Sequence, residues 1–423
     1  MHISPNHAGP SRAVRFLVAG ACAVAVALVV AATGFAASAK TTLVSVSSAG
    51  QQANGPSFSP SVSGDGRFVA FFSSGTNLDP SQASGTFVRD RKAGTTRLVA
   101  ANGFLPSISA DGRFVAFSTY SDVYVYDRNT AATTLVSQNL AGQPTNDSSA
   151  SPSISADGGF VAFSSDAHNL TPVQPKVRRN EYVRDLAAGK TEQVNVNSRG
   201  KPGNGICHHP SISASGRFVA FESNASNLAP GAKKGRWNIF VRDLKKHKTT
   251  LVSVSSRGKK ANGASHNPSI SGDGRFVAFD SKASNLVKHD TNKGWDVFRR
   301  DLKKRRTVRV SVSSKGKQGN GDSRYPSLSN HGGFIAFYST AKNLVKGDTN
   351  HIGDTFVRDE HRGKTVRVDV SSSGHQANKA GPSFLVPSIS ADGRFVAFES
   401  GAKNLVKGDT NHAVDVFVRG PLR

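Results

Sequence analysis

The chain has 423 residues, with 41 glycines, 18 prolines and one methionine, and its 54 lysines and arginines against 29 acids give a formal charge of +25. Two cysteines, Cys22 and Cys207, exclude a disulfide-stapled scaffold, and the absence of helical periodicity after residue 39 excludes a helical or α/β chain. A charge of this size bears on partners and solubility and leaves the fold open.

Residues 1–39 carry Arg12 and Arg15, an apolar run from Phe16 to about Ala32, and small residues ending Ala37-Ser38-Ala39. That order is a signal-peptide layout, which predicts an exported protein, secreted or held in the cell envelope. The run is also long enough to stay as an anchor if uncleaved. Cleavage would leave no membrane span, Cys207 as the lone cysteine, and a charge of about +23, since +25 includes Arg12 and Arg15.

From Pro60 onward one motif recurs, best seen as PSISGDGRFVAF at Pro268 to Phe279, with copies starting at Pro60, Pro106, Pro152, Pro210, Pro268, Pro326 and Pro387. Repetition at this spacing marks a fold in which each unit buries its faces against its neighbours. Within a copy, Ser269 to Ser271 read as a short strand, Gly272-Asp273-Gly274 as a hairpin turn and Arg275 to Phe279 as the returning strand. That strand is apolar on both faces and must be sandwiched, so its two recurring phenylalanines are assigned to the core between blades.

A polar loop follows each hairpin, then a third strand such as Phe298 to Asp301, then a fourth rich in Thr and Val. The seventh unit lacks its fourth strand, but Thr41 to Val46 has that pattern and precedes the first hairpin. The expected architecture is therefore all-β: a seven-bladed β-propeller of four-stranded antiparallel blades over residues 40–423, closed by the N-terminal strand completing the last blade. The hairpin followed by DVFVRD and a Thr/Val strand resembles the TolB-type, WD-like propeller repeat. This resemblance implies the fold over residues 41–420 and no particular activity, because that family reuses its scaffold for unlike tasks.

Enzymatic signatures are sparse. The S-x-D-G turns lack the spacing of sialidase Asp boxes, and no G-x-S-x-G elbow is present. Scattered histidines keep a metal-dependent lyase or hydrolase acting at the propeller mouth as the alternative to a binding or scaffold protein. Three loops spaced D-x-N-x-x-x-D, at Asp290, Asn292 and Asp296, at Asp348, Asn350 and Asp354, and at Asp409, Asn411 and Asp415, read either as calcium-like oxygen clusters or as Asx turns. Calcium is the one cofactor that the sequence brings forward.

Antiparallel connectivity places the loops between strands two and three and between strands four and one on one face, opposite the hairpin turns. The residues before each hairpin proline should ring the channel mouth on that long-loop face. Blades 7, 1 and 2 are mainly apolar there, whereas blades 4, 5 and 6 offer His208 and His209, His266, and Arg324 with Tyr325. The only two tryptophans, Trp237 and Trp295, open the third strands of blades 4 and 5. This arc is the expected site for a small or sugar ligand. The expected partners are a protein or an anionic polysaccharide of the cell envelope, with no nucleic acid, and the chain is expected to be a monomer.

Overall fold

A computed structural model describes residues 39–422 except 174–176, 380 and 382–385. The expected leader, residues 1–39, lies outside the described residues except for Ala39, and Leu385, before the last hairpin proline, lies outside them too. The described strands number 28, arranged as seven antiparallel four-stranded sheets. In blade 5 the strands are Ser265–Ile270, Phe276–Ser281, Asp296–Asp301 and Arg306–Arg309. Closure is as expected: Lys40–Leu43 pairs with Asp415–Gly420 of the last blade, Lys40 opposite Gly420.

The recurring motif explains its own residues. Ser271 donates its hydroxyl proton to Asp273 and accepts the Phe276 N–H at 2.9 Å, while Asp273 also takes the Arg275 N–H at 2.9 Å. The left-handed position of the turn falls on Gly274, at φ +70. A Cβ there would lie 2.2 Å from a ring carbon of Phe218, the first phenylalanine of the preceding blade. The same Gly–Phe contact joins every neighbouring pair and closes at Gly66 against Phe395. The second phenylalanine of each copy, such as Phe279, is fully buried among the blades.

The first serine of each motif has a role that its sequence did not announce. Ser269 accepts the Leu328 N–H from the next blade at 3.0 Å, Ser211 accepts that of Ile270, and the circle closes where Ser388 accepts the Val62 N–H at 3.0 Å. Seven such bonds run around the channel.

Charged motif residues are paired as well. Arg275 grips Asp301 with two hydrogen bonds of 3.1 and 2.6 Å, and Arg67–Asp90, Arg113–Asp127 and Arg217–Asp243 repeat the pair. Blades 3 and 6 carry Gly159 and Gly333 where the arginine would stand, and blade 7 carries Gly420 where the aspartate would stand. A bidentate guanidinium–carboxylate pair fixes geometry as well as charge, so these four blades hold the second and third strands in register by the same clamp.

The first strand begins earlier than the sequence suggests, at Ser265 and not Ser269, with a register shift between His266 and Ser269. Its cause is the residue before each proline. Ser59, Leu105, Ser151, His209, Asn267 and Tyr325 all adopt φ between +50 and +56, a bulge that tolerates proline inside a sheet. Except in blade 1, where Thr95–Ala101 is a full strand, the fourth strands are shorter than their Thr/Val runs, because the chain turns off after Leu251 and its equivalents into an isolated bridge such as Val254 to Lys260.

Candidate functional site

The bulges recur at the residue before the hairpin proline in blades 1 to 6. Their N–H groups meanwhile point at the second strand of the preceding blade, where Asn267 N–H meets Glu222 at 2.7 Å and Tyr325 N–H meets Asp280 at 3.1 Å. Each tryptophan is pinned between two blades, since Trp237 O accepts the Ser265 N–H at 3.0 Å and Trp295 O accepts that of Ser323 at 2.7 Å. These two devices place every residue of the expected arc in one row.

The row is continuous. His208 lies 5.3 Å from Trp237, Trp237 lies 5.5 Å from His266 and His266 lies 5.5 Å from Trp295, measured between ring centres. The Arg324 guanidinium then sits 4.4 Å above Trp295 and 5.1 Å from the Tyr325 ring, and His209 flanks His208 at 5.9 Å. All seven expected residues are thus in contact along the rims of blades 4, 5 and 6. His209 is the most open, with 57% of its side chain exposed, whereas Tyr325 is buried.

Two carboxylates lie beneath this row. Glu222 is nearly fully buried and meets Nδ1 of both His209, at 3.3 Å, and His266, at 3.2 Å. Asp280, fully buried, accepts from Asn267 Nδ2 at 2.7 Å and lies 3.8 Å from Arg324 Nε. Burial drives the Glu222 carboxyl up, but hydrogen bonds from the two imidazoles overcome it and hold the group down at about 2. For Asp280 burial wins over Arg324, and its carboxyl rises to about 6. Burial opposes protonation of His209, yet its bond to Glu222 raises it, while burial and the neighbouring His209 push His208 down to about 4. At neutral pH His208 is a neutral ring, and Arg324, with His209 when protonated, presents positive charge to the mouth. Glu222 and Asp280 escaped the sequence reading because their column also holds Phe72, Ser118, Ser164, Tyr338 and Glu399. The signal was that an acid in blades 4 and 5 precedes a basic mouth residue in the next blade.

The three acidic loops are built differently from a calcium cage. Arg309 places Nη2 3.3 Å from Asp290 and Nε 3.6 Å from Asp296, and Arg367 does the same to Asp348 and Asp354 at 3.1 and 3.6 Å. In the third loop the Gln52 amide donates to Asp409 and Asp415, both at 2.8 Å, and Ser45 donates to Asp415 at 2.6 Å. Asn292, Asn350 and Asn411 each accept the N–H two residues on, at 3.2, 3.4 and 2.9 Å, the geometry of Asx turns. Guanidinium and amide groups face these acids, and each asparagine caps a turn. No group of three or more His, Cys, Asp or Glu among the described residues is arranged to hold a metal ion.

Blade 6 departs from its neighbours here. Where Ser45 and Ser311 donate to Asp415 and Asp296, blade 6 has Asp369, a second buried carboxyl beside Asp354. Burial, with Asp354 alongside, lifts Asp369 well above the carboxylate range. The folded chain therefore holds a proton that the unfolded chain releases near the ordinary value of about 4, so this pair contributes less stability as pH rises above that value. We expect Asp369→Ser to raise thermal stability more at pH 8 than at pH 5, by about 1–2 kcal/mol at the higher pH. Parallel melting curves at both pH values would show that the pair costs nothing.

No family model matches this chain, and no curated protein matches it. Solved structures do. Oligogalacturonate lyase in complex with manganese is similar at TM-score 0.54 and 10% identity, covering 91% of this chain and 90% of that one. The β-propeller domain of the Trilobed protease from Pyrococcus furiosus, which has an open velcro topology, is similar at TM-score 0.51 and 13% identity, covering 82% and 91%. TolB from Acinetobacter baumannii is also among them, at TM-score 0.41 and 14% identity, covering 84% and 76%. Likeness at this level is likeness of fold. Unlike the open archaeal domain, this ring is sealed by its N-terminal strand.

Proposed function

We propose that this is an exported binding protein of the cell envelope or its surroundings, whose mouth takes an anionic saccharide. The observation that carries this reading is the unbroken row from His208 through Trp237, His266 and Trp295 to Arg324. Indole faces suit the apolar faces of sugar rings, and a guanidinium suits a carboxylate, so the row has both halves of an acidic-sugar site. The acids beneath are engaged by the row's own bases, which leaves donors and π faces toward the opening. Among the similar propellers one is named for oligogalacturonate, an acidic sugar chain, and that ligand class supplies the first probe.

The test uses the protein's own reporters, because Trp237 and Trp295 are the only tryptophans. Titration with oligogalacturonate should shift their fluorescence, and the affinity should fall steeply from low to physiological salt. The triple variant His208→Ala, His266→Ala, Arg324→Ala should keep its melting temperature within a few degrees and lose at least tenfold in affinity. Equal affinity for the variant, or no response at any salt, would remove the mouth as the site. The alternative, an enzyme acting on the same ligand, rests on His208, a neutral ring that can accept a proton. Shortening of the oligogalacturonate on incubation, abolished by His208→Ala, would favour it.

A further inference from the structure

The opposite face holds a second constellation that the mouth does not use. Between the turn Leu244 to Lys248 of blade 4 and the turn Leu302 to Arg306 of blade 5 lies a cleft of about 820 Å³. Its lining includes seven basic side chains and two acids, Asp243 and Asp273. Asp243 is taken by Arg217, at 2.9 and 2.8 Å, and Arg275 is taken by Asp301. Arg300 is buried and donates to Val254 O, Ser255 O and the Thr307 hydroxyl, so Lys246, Lys248, Lys303 and Arg305 remain, all exposed and with no ion pair among the described residues.

One of these side chains, Arg305, stands at a strained backbone position. In blades 1, 3 and 6 the left-handed residue of the same turn is Gly94, Gly189 or Gly363. Blades 2, 4 and 5 put Ala131, His247 and Arg305 there, at φ +58, +49 and +54. A side chain in that region is disfavoured, so of the four free cations Arg305 carries a backbone cost that glycine would relieve. The comparable recess between blades 6 and 7, at Val357 and Gly393, has only about 60 Å³. The cleft also offers no free aromatic face. Its one ring, Phe218, is covered by Arg217 at 4.6 Å and by the Gly274 backbone. Recognition there must rest on charge, not stacking.

We propose that this cleft binds a linear chain of closely spaced phosphate groups, gripping it through Lys246, Lys248, Lys303 and Arg305. Lysine ammonium groups are compact point charges that suit phosphate without demanding one planar geometry. The site is independent of the mouth, so the two faces could hold two different polyanions at once.

Inorganic polyphosphate, fluorescently end-labelled, is the probe, with the full mature protein and anisotropy as the readout. Lys246→Glu with Lys303→Glu should weaken binding at least tenfold and flatten its salt dependence, since each lost contact removes about one released counterion. Arg305→Gly separates function from folding: it should weaken binding while raising the melting temperature, because glycine relieves the turn. The mouth triple variant should bind polyphosphate as the unaltered protein does. Absence of binding at low salt would overturn the proposal, as would full affinity in the charge-reversed variant. Polygalacturonate bound in the cleft as tightly as polyphosphate, and lost on the same charge reversal, would overturn the phosphate assignment.

Discussion

Removing Lys40 to Ser48 should abolish the single cooperative unfolding transition and leave a protein that associates. The deletion strips the outer strand from Asp415–Gly420 and exposes a row of unpaired backbone groups, which is a template for edge-to-edge pairing. It also removes Val44 and Val46 from the core between the last and first blades, and Ser45, whose hydroxyl donates to the buried Asp415 at 2.6 Å. Arg419 loses its contact with Thr41 at 2.9 Å as well. The sum of these losses is on the order of the whole stability of a domain, roughly 5–15 kcal/mol. Urea unfolding followed by tryptophan fluorescence, with size-exclusion chromatography, checks this; an unchanged midpoint and a monomeric peak would mean that the ring does not depend on its closing strand.

Gly274→Ala should be the most damaging small substitution in the repeat. A methyl group there would lie 2.2 Å from Phe218, a ring held between two blades, and alanine would have to accept φ +70. Overpacking costs about 1–3 kcal/mol and the left-handed backbone about 1–2 more. Gly258→Ala is the matching control, with φ +76 but nothing within 4 Å of the new methyl, so it should cost only the backbone part. If both variants melt together, the Gly–Phe contact carries no energy of its own.

Much of the fold was legible because period, turn chemistry and two-sided apolar strands all point to one architecture, and even the closing strand is visible as Thr41 to Val46 standing out of place. The mouth arc was legible too, since alignment of the residues before each proline groups His208, His266 and Arg324 without knowing their geometry. What sits beneath was not. Glu222 and Asp280 occupy a column that is Phe72 in one blade and Ser118 in another, and only the bulge before each proline turns that column toward the next blade's backbone. The bulge was hidden because a residue before proline ordinarily avoids the helical region and is read as extended. The groups that face the acidic loops were hidden for a related reason. Asp290 and Asp296 match the spacing of an oxygen cage, but Arg309, which pairs with them, comes from a different strand, and the third loop has Gln52 in that role.

The serine bonds that pass from each blade to the next have a dynamic consequence. In an open array of repeats the end units have one neighbour, and they fray first. Here every blade has two, because the bond from Ser388 to Val62 joins the seventh to the first. Lifting any one blade must break a joint on each side at once, so the easiest opening is no cheaper at the chain ends than at the middle. Hydrogen exchange of the innermost amides, Ile108, Ile212 and Leu328 among them, should therefore show one protection level around the circle and no gradient from either terminus.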